Sequence, residues 1–166
     1  RVVLLIDEID KADTDFQDDM LDVLDQMEFD IIEIDKTKRA KKRPVIIITS
    51  NAKKDLSDPF LGRCNFHHIA FPEPDMMRRI VQVHFPDISK DILESSVRAF
   101  YKMRDLRGIE KKPATRELIN WIRALQADPD FNVKQLVKGD MPYLGVLFKK
   151  SPDYAMARNS VARLKI

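Results

Sequence analysis

Asp7 and Glu8 follow the apolar run Val2 to Ile6 without a break, and Asp10 stands close behind. Two carboxylates at the mouth of a buried strand usually serve a metal ion or a water. Neighbouring residues of a strand point to opposite sides, so the two carboxylates have different jobs. One can hold a magnesium ion through its water shell, while the other orients and polarises an attacking water. A second apolar run, Pro44 to Ile48, ends in Thr49, Ser50 and Asn51. The Asn51 amide, both donor and acceptor, suits the positioning of that water or the sensing of a terminal phosphate.

These residues need a sheet whose strands run parallel, because ligands gather outside the carboxyl ends of such strands. Val2 to Ile6 reads as a strand buried on both faces, and residues 44 to 51 as a second. "FHHIAFPEPD", 66 to 75, reads as a third, closed by Pro72 and Pro74. Between the first two, Asp13 or Thr14 can cap a helix with Phe16, Met20, Leu24 and Met27 on one face. "EFDIIEIDKTKRAKKRP" alternates into a β-hairpin or long loop with a basic tip. Asp58 is placed to cap a short helix with Pro59 at its first position.

From Asp75 onward helical periodicity repeats, interrupted by Pro86, Gly108 and Pro113, and the tail from Asn132 to Ile166 adds two or three shorter helices. The expected organisation is an α/β part over residues 1–74 and an all-α part over 75–166.

Composition narrows the partners. With 166 residues, 44% hydrophobic and 34% charged, the chain can bury a core and stay in solution. Its net charge of +2 makes no global case for nucleic acid or a membrane. No apolar run approaches the length of a membrane span. Cys64 is the single cysteine, so no internal disulfide framework exists and a reducing, cytoplasmic setting is expected. Charge is unevenly distributed, however. Asp7 to Asp35 holds thirteen acidic residues against Lys11 alone, whereas Lys36 to Arg43 holds six basic residues and no acid.

The order of motifs resembles the AAA+ ATPases, and specifically their MoxR-like branch. The matching residues are "LLIDEIDKAD" as the Walker B strand, "IIITSNAKKDLSDPFLGRC" as sensor 1 running to an arginine finger, and "KPATRELINWIRAL" as sensor 2 in a helical lid. The hairpin between Met27 and Pro44 is similar to the pre-sensor insertion of that branch. The resemblance implies a partial parallel P-loop NTPase sheet with flanking helices, followed by an all-α lid domain. It implies that Asp7 binds magnesium, that Glu8 is the catalytic carboxylate and that Asn51 is the sensor 1 residue. It also implies that Arg63 reaches the nucleotide of a neighbouring subunit and that Arg116 touches the γ-phosphate from the lid. An arginine supplied across an interface can be worth about 10³ to 10⁵ in rate. The implied cofactors are ATP and Mg2+, and the implied assembly is a homo-oligomeric ring, for instance a hexamer, acting on client proteins.

Two departures stand against the family pattern. Related sequences often carry arginine where Gly62 stands, which implies a looser finger loop. The larger departure is the phosphate loop. The chain has four glycines, at 62, 108, 139 and 145, and none begins G-x-x-x-x-G-K-[ST]. In this family that motif lies upstream of Walker B, so the chain is expected to be the C-terminal portion of an ATPase and inactive alone.

Plainer readings compete for each residue. Asp7 and Glu8 could be a solvated strand end, Asn51 a turn residue, and Arg63 and Arg116 surface arginines. His67, His68 and Cys64 fit none of the usual zinc spacings, and a structural role is expected. Trp121 shares an apolar helix face with Leu118 and Leu125, so core packing is its default. No aromatic residue interleaves the basic tip, so a solvated tip, or one facing a ring pore or an acidic partner, is expected over nucleic acid. The acidic helix of a next subunit is one such partner. Beside the motor, two alternatives stand: a non-catalytic scaffold lending an arginine finger to a partner, and a nucleic-acid-linked ATPase.

Overall fold

A computed structural model of the chain describes residues 2–52 and 54–161. It divides into two compact units, Arg1–Ile69 and Ala70–Ile166, whereas the sequence reading put the boundary at 74/75. The first is α/β and the second is built of helices.

In the first unit, strand β1 (Val3–Ile6) pairs in parallel with the later strand Val45–Ile48, Val3 opposite Val45 and Ile6 opposite Ile48. Between them come helix α1 (Thr14–Gln26), strands β2 (Glu28–Ile31) and β3 (Lys36–Arg39), and then that partner strand, β4. Helix α2 (Asp58–Gly62) follows. Asp13 caps α1 by accepting from the Phe16 amide at 2.8 Å. Strands β2 and β3 form the expected hairpin, antiparallel, with Glu28 opposite Arg39. The cap of α2 is Ser57 rather than Asp58, its hydroxyl accepting from the Phe60 amide, with Pro59 in the first turn.

Three further expectations fail here. Strand β1 is not buried on both faces: Val3 is 59% exposed and Leu5 60%. Burial on both faces requires layers above and below and strands on either side. This sheet has two strands, and its core collects at their carboxyl ends, where Ile9, Leu21 and Phe60 are buried with Ile6 and Ile48 beside them. Helix α1 is rotated from the expected face. It buries Gln17 and Leu21 and leaves Phe16 47% exposed. The third run forms no strand. Residues 65–73 carry no regular structure, and Phe66 and Ile69 lie in solvent. A strand is stabilised by its neighbours' ladder, and no strand among the described residues pairs with this segment.

The second unit contains α3 (Pro74–His84), α4 (Lys90–Arg104), α5 (Thr115–Ala127), α6 (Val133–Val137), α7 (Leu144–Leu147) and α8 (Ser151–Val161). Ser89 caps α4 and Asn132 caps α6. Trp121 is fully buried with Leu118, Leu125, Phe100 and Met103, and its indole donates to the Pro142 carbonyl at 2.7 Å. Residues 162–166 of the expected helical tail lie outside the described residues. No helix among the described residues is long and apolar enough to cross a membrane.

Candidate functional site

The carboxyl ends of β1 and β4 lie side by side, which brings Asp7, Glu8 and Asn51 together. The connection runs through Thr49. Its amide donates to the Ile6 carbonyl at 3.0 Å, and its carbonyl accepts from the Ile9 amide at 3.0 Å. Its hydroxyl donates to the Asp7 carboxylate and accepts from the Glu8 amide at 2.9 Å. One side chain just beyond β4 thus fixes two consecutive residues beyond β1.

Glu8 stands in the left-handed backbone region, at φ 54° and ψ 50°. That costs a non-glycine residue about 1 kcal/mol. The turn throws the Glu8 side chain towards residue 51, and Oε1 accepts from Asn51 Nδ2 at 2.7 Å. Oε2 accepts from the Lys11 ammonium. The hydrogen bond from Lys11 to Glu8 and then its charge attraction hold the Lys11 pKa above the ordinary value. Asp10, buried at 1% exposure, accepts from the Asn51 amide at 3.1 Å. Asp10 secures the backbone of residue 51 while Glu8 takes its side chain.

Arg63 does not join this group. It is the residue after α2, and its Nε donates to Asp25 Oδ2 at 2.9 Å and its Nη1 to the Pro59 carbonyl at 3.0 Å. Asp25 and Arg63 line a pocket of about 290 Å³ with Leu21, Arg43, Phe60 and Cys64, to which none of Asp7, Glu8 and Asn51 contributes. Arg116 is an exposed residue in the first turn of α5, in the second unit. His67, His68 and Cys64 are exposed, and among the described residues no group of three or more His, Cys, Asp or Glu could hold a metal ion.

Magnesium keeps most of its water and takes one or two carboxylates together with phosphate oxygens. Asp7 is exposed, and one of its oxygens accepts from the Thr49 hydroxyl, so it is a single carboxylate of the kind such an ion takes. A polyphosphate also needs a cradle of backbone amides, and the glycine pattern that builds one is missing from the sequence. Thr49, Asp10 and Lys11 are site residues to which sequence reasoning gave no role, although it noted Asp10 behind the carboxylate pair. A hydroxyl ending an apolar run was the available signal for Thr49; no pattern marked the others.

No protein-family model matches the chain, and no curated protein matches it.

Proposed function

We propose that the chain carries the Walker B, sensor and lid portion of an AAA+ ATPase of the MoxR type, a motor that uses ATP and Mg2+ to remodel or activate client proteins in the cytoplasm. The observation that carries this reading is the meeting of Asp7, Glu8 and Asn51 beyond two neighbouring parallel strands, with the 2.7 Å bond from Asn51 to Glu8. In this reading Asp7 holds magnesium and Glu8 orients water. Asn51 keeps Glu8 aimed and reports the terminal phosphate. Arg63 leaves Asp25 to serve the nucleotide of a neighbouring subunit in a homo-oligomeric ring, and Arg116 acts from the helical unit as sensor 2. ATP and magnesium, when bound, supply the reacting phosphoryl group and its charge neutralisation.

These 166 residues contain no phosphate loop, so hydrolysis by this chain alone is expected to be negligible. The test is magnesium-dependent ATP hydrolysis by the native gene product, read together with the codons upstream of Arg1. A G-x-x-x-x-G-K-[ST] there and a rate that falls about 10²-fold or more in Glu8→Gln support the motor. A native product with full turnover in Glu8→Gln would sink it. The seat of Arg63 on Asp25, apart from Glu8 and Asn51, favours a second reading, a scaffold that lends Arg63 to a complete partner. There Arg63→Ala lowers the partner's activity and Glu8→Gln changes nothing.

A further inference from the structure

Helices α7 and α8 leave a cleft of about 550 Å³ within the second unit, a volume suited to a small organic molecule. Tyr154 and Arg158 stand four residues apart on α8 and Val161 three further on, so the helix turns one continuous stripe to the cleft. Asp153 and Ala157, both buried, fix the rotation of that helix. From the α7 side come Tyr143 and Gly145, with the buried Met141 and Leu144 supplying apolar surface. Gly145 keeps the cleft open, since a Cβ there would already stand 3.8 Å from the Tyr154 ring.

Tyr143 is held in place from several sides. Its backbone lies in the left-handed region, at φ 58° and ψ 31°, which a tyrosine adopts only where its surroundings impose it. The Trp121 indole donates to the carbonyl of the preceding residue, Pro142, at 2.7 Å. The Tyr143 hydroxyl donates to Asp128 at 2.9 Å. That bond commits the Tyr143 proton, so what this residue offers the cleft is its ring.

The acids here are engaged and the cation is not. Asp128 accepts through both oxygens, from the Tyr143 hydroxyl and the Asp130 amide, and Asp140 accepts from Gln135 Nε2 at 3.5 Å. Arg158 is the only cation on the lining, and it has no hydrogen-bond or ion-pair partner among the described residues. A guanidinium takes a carboxylate or a phosphate through paired hydrogen bonds. One positive charge on the same lining as Asp140 balances a single negative charge. A phosphate dianion would leave its second charge uncompensated beside Asp140.

We propose that this cleft binds a small aromatic monocarboxylate, its carboxylate on Arg158 and its ring against Tyr143 and Tyr154. Aromatic rings attract one another in offset or edge-on arrangements, which two tyrosines on different elements can supply. The site lies wholly in the second unit and stands apart from the nucleotide reading, which could fail without it.

Isothermal titration calorimetry of the full chain with 2-naphthoate tests it, with 2-naphthylmethanol as the uncharged match of the same ring. The carboxylate should bind with a Kd on the order of 0.1 mM, and the alcohol about tenfold more weakly. Arg158→Gln should weaken 2-naphthoate about tenfold and leave the alcohol unchanged, whereas Tyr154→Ala should weaken both. Arg98→Gln, at an exposed arginine of α4, should change neither. Amide shifts on titration should centre on residues 141–158. Arg158 and Tyr154 are exposed, and the fluorescence of buried Trp121 verifies that each variant is folded. A parent that does not bind 2-naphthoate at millimolar concentration overturns the proposal, as does equal affinity for the alcohol. Equal losses in Arg98→Gln and Arg158→Gln, shifts centred elsewhere, or tighter binding of inorganic phosphate than of 2-naphthoate do the same.

Discussion

Asn51 Nδ2 lies 2.7 Å from Glu8 Oε1, joining residues 43 positions apart across the ends of two parallel strands. Lys11 holds the other oxygen, so the Glu8 carboxylate is shared between a neutral donor and an ammonium. Glu8→Gln keeps an acceptor for Asn51 and removes the charge that raises the Lys11 pKa. Lys11 should therefore titrate at lower pH in Glu8→Gln than in the parent, followed by NMR of methyl-labelled lysines. The sign for stability follows. A lysine held above its ordinary value near 10.5 contributes stability that is complete below that value. The contribution is lost as pH rises through the raised pKa. Identical Lys11 titrations in the two proteins would refute the pairing.

Beside Asn51, Ala52 also occupies the left-handed region, at φ 51°. A glycine adopts that conformation without a Cβ penalty, at some cost in unfolded-state entropy. Ala52→Gly should raise stability by about 0.5–1 kcal/mol in urea unfolding. A loss of stability would show that the turn is not held in this conformation in solution.

Thr49→Val keeps the shape of the side chain and deletes the hydroxyl that joins Asp7 to the Glu8 amide. The expected loss is about 1 kcal/mol, since both partners can turn to water. The more sensitive reading is local: amide exchange at Glu8 should accelerate while exchange in the second unit stays unchanged. Unaltered protection of Glu8 would remove Thr49 from the site.

The strand ends were legible because Val2 to Ile6 and Val45 to Ile48 stop abruptly at polar residues, and an apolar run that stops this way marks a strand end. Trp121 was legible for a similar reason: Leu118, Trp121 and Leu125 form one stripe with no rival. Helix α1 offered one broad band instead: Phe16, Met20, Leu21, Val23 and Leu24 span an arc of about 160° with Leu21 at one edge, and contact with Ile9 and Phe60 selects that edge. Residues 66–71 have the composition of a strand, but a strand also needs a ladder partner, which no local pattern supplies. Thr49 and Asp10 act through bonds that span 41 residues, beyond the reach of a motif.

Tyr101, on α4, donates its hydroxyl to the Pro72 carbonyl, and burial is the chief cause of its raised pKa. A hydrogen bond to Asp128 does the same for Tyr143. Both groups hold their protons longer in the folded state. Their contributions are complete below the ordinary tyrosine value near 10 and are lost as pH rises through the raised values. Ultraviolet titration should show late phenolate formation that shrinks in Tyr101→Phe and again in Tyr143→Phe. A single transition at the ordinary value would contradict both environments.

Asp153, near the start of α8, is 1% exposed, and its two oxygens accept from the Glu110 amide at 2.9 Å and the Lys111 amide at 3.0 Å. The carboxylate thereby ties the loop after α4 to the last helix of the second unit. Asp153→Ala leaves two backbone donors without their acceptors, at a cost of about 2–4 kcal/mol. Asp153→Asn should cost nearly as much, because one of its two side-chain positions becomes an NH2 facing an N–H. The neighbouring Lys150–Glu110 pair is exposed, so Lys150→Ala should have little effect by comparison. Trp121, the single tryptophan and wholly buried, reports the unfolding by fluorescence. Equal stability of Asp153→Ala and Lys150→Ala would mean that the loop is held by other contacts, and amide exchange at Glu110 and Lys111 would then stay slow in Asp153→Ala.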